Sequence, residues 1–249
     1  ANGRDPRELP LMRVAYDIWP SLGEVLDGDT GYERTGHVEL YERERDLPIA
    51  RARETGQRLA GIPTEYIDRD RVLEIEPGVS DAIRCAVYAP LDGVADHTAT
   101  TRAYAQAAQR LGAEIREGAA VAGIGTAGSQ TVVTLASGEA LTARRGVAVF
   151  ANAGIASLLS PLGTSLPVWR ILPQVMRTAP VNEPVVRGLV GHAHRVLSVK
   201  PLPDHSVMIS GGWRGTWNDE KGEGEATADQ IEGNLREAHA VLPGLRPYE

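Results

Sequence analysis

Few residues in this chain have types and spacings that invite chemistry. Gly123-Ile124-Gly125-Thr126-Ala127-Gly128 matches the three-glycine pattern that receives a dinucleotide diphosphate. That pattern works when a strand leads in and a helix leads out, because the helix N-terminus supplies the amides and partial positive charge that meet the phosphates. Here the exit is Ser129-Gln130-Thr131-Val132-Val133-Thr134-Leu135, β-branched and alternating, which predicts a strand. No acid stands at a second strand end about 20 residues further on, where a ribose needs one. The glycines therefore read as a plain turn. His192 and His194, two apart, share a face of any strand that carries them and raise the question of a metal. No third ligand of suitable spacing follows, so no metal site is expected. Cys85, the single cysteine, lies in the strand-like run Ala82 to Tyr88 and reads as a buried structural thiol rather than a nucleophile. Trp19 sits at core spacing in a helix, and His97, beside a helix cap, reads as a surface residue.

The elements that must position such groups follow from periodicity. Leu9, Leu11, Met12, Ala15, Ile18 and Trp19 recur at helical spacing after an Asp5-Pro6 start, with Pro20 expected near the helix end. Gly36 to Tyr41 alternates as a strand, 46–60 is rich in helix formers and stops at Gly61, and Arg69 to Glu76 reads as a short helix. Ile83 to Ala89 predicts a strand, Pro90-Leu91-Asp92-Gly93 a turn, and Asp96 or Thr98 caps a helix that ends at Gly112. Strands are expected at Ala113 to Ile124, Thr131 to Leu135 and Leu141 to Phe150, with a hairpin at Ser137-Gly138. A short helix reaches Leu159. Further strands are expected at 167–178, 194–201 and 206–211, a mobile polar loop at 218–225, and a closing helix from Asp229 to Leu242.

Composition bounds the rest. The 249 residues are 42% hydrophobic and 24% charged, enough for a substantial core and unlike a disordered or fibrous chain. The net charge of -7 comes without a basic stripe, which argues against a nucleic-acid partner. No apolar run approaches the roughly 20 residues that cross a bilayer. One cysteine fits a reducing cytoplasm. The opening Ala1-Asn2-Gly3-Arg4-Asp5 is polar, unlike a signal peptide, and lacks an initiator Met, so an upstream part is expected to be absent or removed.

Read as a whole, the chain resembles a known family. Leu111-Gly112-Ala113-Glu114-Ile115 leads to Ala120-Val121-Ala122-Gly123-Ile124, then a hairpin, then Arg145-Gly146-Val147-Ala148-Val149-Phe150-Ala151-Asn152-Ala153-Gly154. Flanking it are Arg34 to Leu40, Tyr88 to Asp96, Leu166 to Thr178 and Lys200 to Gly212. In order and spacing these segments resemble the D-amino-acid oxidase, sarcosine oxidase and glycine oxidase superfamily of flavoproteins. The family's opening strand, three-glycine turn and helix, and its closing Gly-rich segment beneath the isoalloxazine ring, have no counterpart here. The resemblance thus implies an internal piece of an FAD-dependent enzyme, with FAD bound by the parent and not held tightly by this chain.

The implied fold is α+β: a mixed, largely antiparallel substrate-domain sheet with flanking helices, joined to a remnant of the FAD-binding lobe with a β-meander. Residues 1–93 are expected to form the first part of the substrate domain, 94–165 the remnant lobe and 166–249 the second part. The implied reaction is oxidation of an amino acid or secondary amine to an imine, with a small-molecule partner. Rivals are a hydroxy-acid or polyol dehydrogenase of the same group, and a flavin-free binding or subunit-interface module. An open strand edge also invites pairing with a second copy. The resemblance places the backbone of Val121 against the adenine, although the residue also reads as a buried strand valine. It places Ala153 and Gly154 in a turn against the nucleotide, which is equally a strand-to-helix turn. Gln174 and Met176, on one face of a strand that bridges the lobes, and Arg177 on the other, are pocket candidates. Trp213, Arg214 and Trp217 either shape a pocket mouth, with Arg214 forking a substrate carboxylate, or form a packed aromatic loop with a solvated arginine.

Overall fold

The computed structural model describes residues 4–248. The chain folds as two compact units, Ala1–Ala108 with Leu172–Glu249, and Gln109–Ile171. In chain order the first unit holds α1 (Leu9–Leu26), β1 (His37–Tyr41), α2 (Leu47–Leu59), β2 (Glu65–Asp68), α3 (Arg69–Ile75), β3 (Cys85–Ala89) and most of α4 (His97–Arg110). The second unit holds β4 (Val121–Ala127), β5 (Gln130–Leu135), β6 (Ala140–Ala143) and α5 (Ile155–Leu159). The chain returns to the first unit for β7 (Met176–Arg177), β8 (Leu189–His192), β9 (Ser198–Pro201), β10 (Val207–Ser210), the pair β11 (Thr216–Asn218) and β12 (Glu223–Glu225), and α6 (Ala228–Val241).

The first unit is built on a seven-stranded sheet of order β2-β3-β1-β8-β9-β10-β7. Every neighbouring pair is antiparallel except β1 and β8, which run parallel. This is the mixed, largely antiparallel sheet that the sequence implies. Successive side chains on a strand face opposite ways. Val38, Leu40, Val190, Val199, Val207 and Ile209 all turn to one face, where they form a core with Ala238, Val241 and Leu242 of the α6 segment and with Leu245. Glu76 is buried beside that core, its carboxylate accepting from the backbone N–H groups of Arg187 and Gly188 at 2.9 and 2.6 Å.

Several expectations need correction. Pro20 does not end its helix: α1 continues to Leu26. A proline in a helix interior leaves the carbonyl four residues earlier without its N–H partner. That carbonyl belongs to Tyr16, and the Arg34 guanidinium donates to it at 2.9 Å. The polar stretch 218–225 is the hairpin β11–β12 rather than a loop, its turn held by Asn218, whose side-chain oxygen accepts from the N–H groups of Glu220 and Lys221. In the second unit β4, β5 and β6 form the expected antiparallel meander. The runs 113–120 and 147–150 are not strands: neither enters a sheet, and the first is met only at its end, where the Ala136 N–H donates to the Ala120 carbonyl at 2.8 Å. Phe150 is 93% exposed in consequence. No helix among the described residues is long and apolar enough to cross a membrane.

Candidate active site

The face of the sheet opposite the core is apolar at one end, where Tyr41, Cys85 and Val87 pack with Ala50, and partly hollow beyond. The registers align Val87, Glu39, Gly191, Ser198 and Ser210 in one row across β3, β1, β8, β9 and β10. The last three are small, so the middle of this face carries little side-chain bulk. A cavity of about 1120 Å³ stands over it, floored by Glu39, Gly191, Ser198, Ser210 and His37, and walled by α1, Tyr32 and the 91–95 loop. On the wall the rings of Trp19 and Tyr32 stack with centroids 5.5 Å apart and an interplanar angle of 25°. Trp19 therefore does two things: it packs beside Leu22, Leu26 and Ala103, and it faces the cavity.

The polar groups of the cavity are held by one another. Asp92 receives the Tyr16 hydroxyl at 2.5 Å on one carboxylate oxygen and stands 3.3 Å from His37 Nδ1 on the other. Its loop is clamped by the backbone of Gly36, which donates to the Asp92 carbonyl at 2.8 Å, and by the Glu33–Val94 bridge. Gly93 is required there, since a Cβ would lie 2.4 Å from the Glu33 carbonyl oxygen. Burial, and then the bond to Asp92, push the Tyr16 phenol well above its usual value, so it stays protonated and donates. Burial pushes the Asp92 carboxyl up, and the hydrogen bonds from His37 and Tyr16 are among the interactions that bring it below the ordinary range. Glu39, next on the same face of β1, is buried and met by Arg53 at 2.5 Å.

At the far end of β8, His192 borders the cavity and belongs to a second network. Its Nε2 lies 3.4 Å from Glu42, and His194 Nε2 lies 3.6 Å from the same carboxylate. The ligand atoms of Glu42, His192 and His194 fall within 4.8 Å of one another. The parallel pairing of β1 with β8 supplies this third group from about 150 positions earlier in the chain, where a search for local spacing does not look. The hydrogen bonding nevertheless favours an ion-paired network over a metal. His192 Nδ1 faces the N–H groups of His194 and Arg195 at 3.4 and 3.3 Å, so it accepts and the proton sits on Nε2, where a metal needs a lone pair. Arg195 already forks the Glu42 carboxylate at 2.9 and 3.0 Å and reaches Glu237 at 2.7 Å. Burial holds His192 down to about 4.

The residues singled out from sequence lie mostly around this cavity rather than in it. Gln174 is buried, its side-chain oxygen accepting from the Thr227 N–H, while its neighbours Pro173 and Val175 line the cavity. Met176 pairs with Ile209 and packs on the core face, so it does not reach the cavity. Arg177 faces the other way and pairs with Asp204 and Ser206. Trp213 donates from its indole to the Val196 carbonyl at 2.7 Å and lies against Gly233, and Arg214 is exposed. Of this segment, Gly211 and Gly212 line the cavity. In the second unit, Val121 opens β4 opposite Leu135 beside a β-bulge and is 41% exposed. Ala153 and Gly154 form the 3₁₀ turn ahead of α5, which packs on β4. Sequence reasoning missed Tyr16, His37, Glu39 and Asp92, and it raised His192 only as half of a metal pair, without its partner Glu42. The signal for two of them was present: His37, Glu39 and Tyr41 alternate with Val38 and Leu40, a polar face written into a central strand.

Comparison with known proteins is consistent across sequence and structure. The family model described as DAO, FAD dependent oxidoreductase, matches residues 1–249. The β subunit of sarcosine oxidase from Arthrobacter sp. is 28% identical over 165 residues, which is 64% of this chain and 40% of that protein. Glycine oxidase from Geobacillus kaustophilus superposes with a TM-score of 0.87 at 23% identity, over 100% of this chain and 66% of its own. L-proline dehydrogenase from P. horikoshii gives 0.84 at 19% identity, over 98% of this chain and 64% of its own. The chain thus spans under two thirds of the length of each of these relatives.

Proposed function

Because the chain belongs to the FAD-dependent oxidoreductase (DAO) family along its whole length, we propose that the protein containing it oxidises an amino acid or secondary amine to an imine. In this reading the chain supplies the substrate-binding portion. The observation that carries it is the cavity over the small-residue row of the sheet, with the polar group of Tyr16, His37 and Asp92 gathered at one side.

The Gly123 motif is not a diphosphate cradle. Gly123, Gly125 and Gly128 lie in the β4–β5 hairpin, no helix follows them, and a Cβ at any of the three meets nothing within 4 Å. Val121, Ala153 and Gly154 are proposed only as backbone contacts to the nucleotide's far end. A bound flavin would supply the redox chemistry, serving as acceptor for the hydride on the carbon beside the amine.

The chain's own residues bind and orient. Gly191, Ser198 and Ser210 leave room for a small substrate on the sheet, Trp19 and Tyr32 exclude water from one side, and the Asp92 group meets the amine. The test is a substrate screen of the full-length, flavin-loaded protein with detection of released ammonia or primary amine. Release from amino acids or secondary amines is expected. Turnover confined to hydroxy acids or polyols overturns the reading.

A further inference from the structure

An aliphatic amine enters such a cavity as an ammonium, and an ammonium has no lone pair with which to form a C=N bond. Something must take its proton first. Three observations identify a group suited to that task. His37 sits on β1, with side-chain exposure of 12%, among the residues that line the cavity. Its Nδ1 is turned to the Asp92 carboxylate, whose other oxygen is fixed by the Tyr16 hydroxyl. Its Nε2 lies over Gly191, where a Cβ would come within 2.9 Å; the absence of a side chain at that point of β8 is what lets the ring lie across the floor. With the carboxylate at Nδ1, that nitrogen carries the proton and Nε2 carries the lone pair. A carboxylate that fixes an imidazole in this tautomer and stabilises its protonated form is the arrangement of a positioned general base.

We propose that His37 is the base that deprotonates the substrate ammonium, with Asp92 and Tyr16 as positioning residues; this rests on the amine-oxidation reading above. An ammonium N–H bond breaks, the proton bonds to His37 Nε2, and the electron pair stays on the substrate nitrogen. That pair would then be free to form the C=N bond as the neighbouring carbon loses its hydride, for which a flavin bound in the complete enzyme would be the acceptor. The imidazolium is balanced by Asp92. Among the described residues, the other ionisable ones that line the same cavity are Arg4, Tyr32, Glu39 and His192; Glu39 is paired with Arg53, and His192, in register with Leu40, turns its ring to Glu42.

The test follows flavin bleaching by rapid mixing without oxygen, in full-length holoenzyme, for amines of graded basicity. An amine of pKa about 10 is neutral to only about one part in a thousand at pH 7. His37→Asn is expected to slow reduction by such an amine about 10²- to 10³-fold at pH 7, the rate recovering about tenfold per pH unit. Amines of pKa near 6, already neutral at pH 7, are expected to reduce wild type and variant within a few-fold of each other. Asp92→Asn is expected to show the same selectivity in weaker form, and the bound-flavin spectrum of each variant reports that it is folded. A His37→Asn enzyme that keeps the wild-type pH profile, or loses rate equally for all amines, overturns the proposal. A wild type bleached by no amine at all overturns the oxidation reading, and the proposal falls with it.

Discussion

Gly233 and Gly56 both lie inside helices, and the structure predicts opposite outcomes for the same substitution at each. An exposed helix-interior glycine is about 1 kcal/mol worse than alanine. Gly56 in α2 has nothing within 4 Å of a built Cβ, so Gly56→Ala should stabilise by up to about 1 kcal/mol. At Gly233 in α6 the new Cβ falls 2.3 and 2.4 Å from two atoms of the Trp213 ring. Carbon atoms pack best at about 3.5–4.0 Å, so the ring must retreat by more than about 1 Å. Overpacking of this kind costs about 1–3 kcal/mol, and the retreat strains the 2.7 Å indole bond to Val196, worth about 1 kcal/mol. Against the propensity gain, Gly233→Ala should lose about 1–3 kcal/mol net. Urea unfolding followed by circular dichroism measures both. In Gly233→Ala/Trp213→Leu most of the alanine penalty should vanish, since the clashing ring is gone. Gly233→Ala as stable as wild type, or moving with Gly56→Ala, would refute the placement of Trp213 on α6.

Two further outcomes follow from buried polar groups. His192 is held at about 4 against an ordinary 6.5, so the unfolded chain binds its proton first as pH falls. Stability is therefore lost between about pH 6.5 and 4, by about 3 kcal/mol at 1.36 kcal/mol per pKa unit; His192→Gln should flatten that part of the unfolding free energy against pH, and an unchanged curve contradicts the assignment. Arg34→Ala should cost about 1 kcal/mol by stranding the Tyr16 carbonyl, and close to nothing in a Pro20→Ala background, where the helix supplies its own N–H. Equal costs in the two backgrounds would mean that Arg34 does not act through that carbonyl.

What the sequence reveals depends on how local the deciding interaction is. The meander of β4, β5 and β6 is legible because alternation and the Ser137-Gly138 turn are local. The decoy at Gly123 is legible for the same reason, since the strand that follows it is written next to it. β8 is not: four residues with a glycine in the middle become a strand because β1, about 150 positions away, pairs with them. That pairing also creates the cavity floor and brings Glu42 to His192. Pro20 misleads because its remedy, Arg34, lies outside the helix. The opposite error arises at 147–150, a strand-like run that no described residue pairs with. Among the site residues, Gln174 and Trp213 were expected in the pocket, whereas their neighbours Pro173, Val175 and Gly212 line the cavity; Asp92 looked like an ordinary turn residue until its partners Tyr16 and His37 were seen beside it.

The most direct measurement is anaerobic titration of the full-length, flavin-loaded protein with matched pairs of amino acid and hydroxy acid, read at the flavin absorption band. Bleaching by the amino acid or secondary amine, with release of ammonia or a primary amine, and none by the hydroxy partner, is the predicted result. Bleaching by the hydroxy acid alone, or by neither, contradicts amine oxidation at this site.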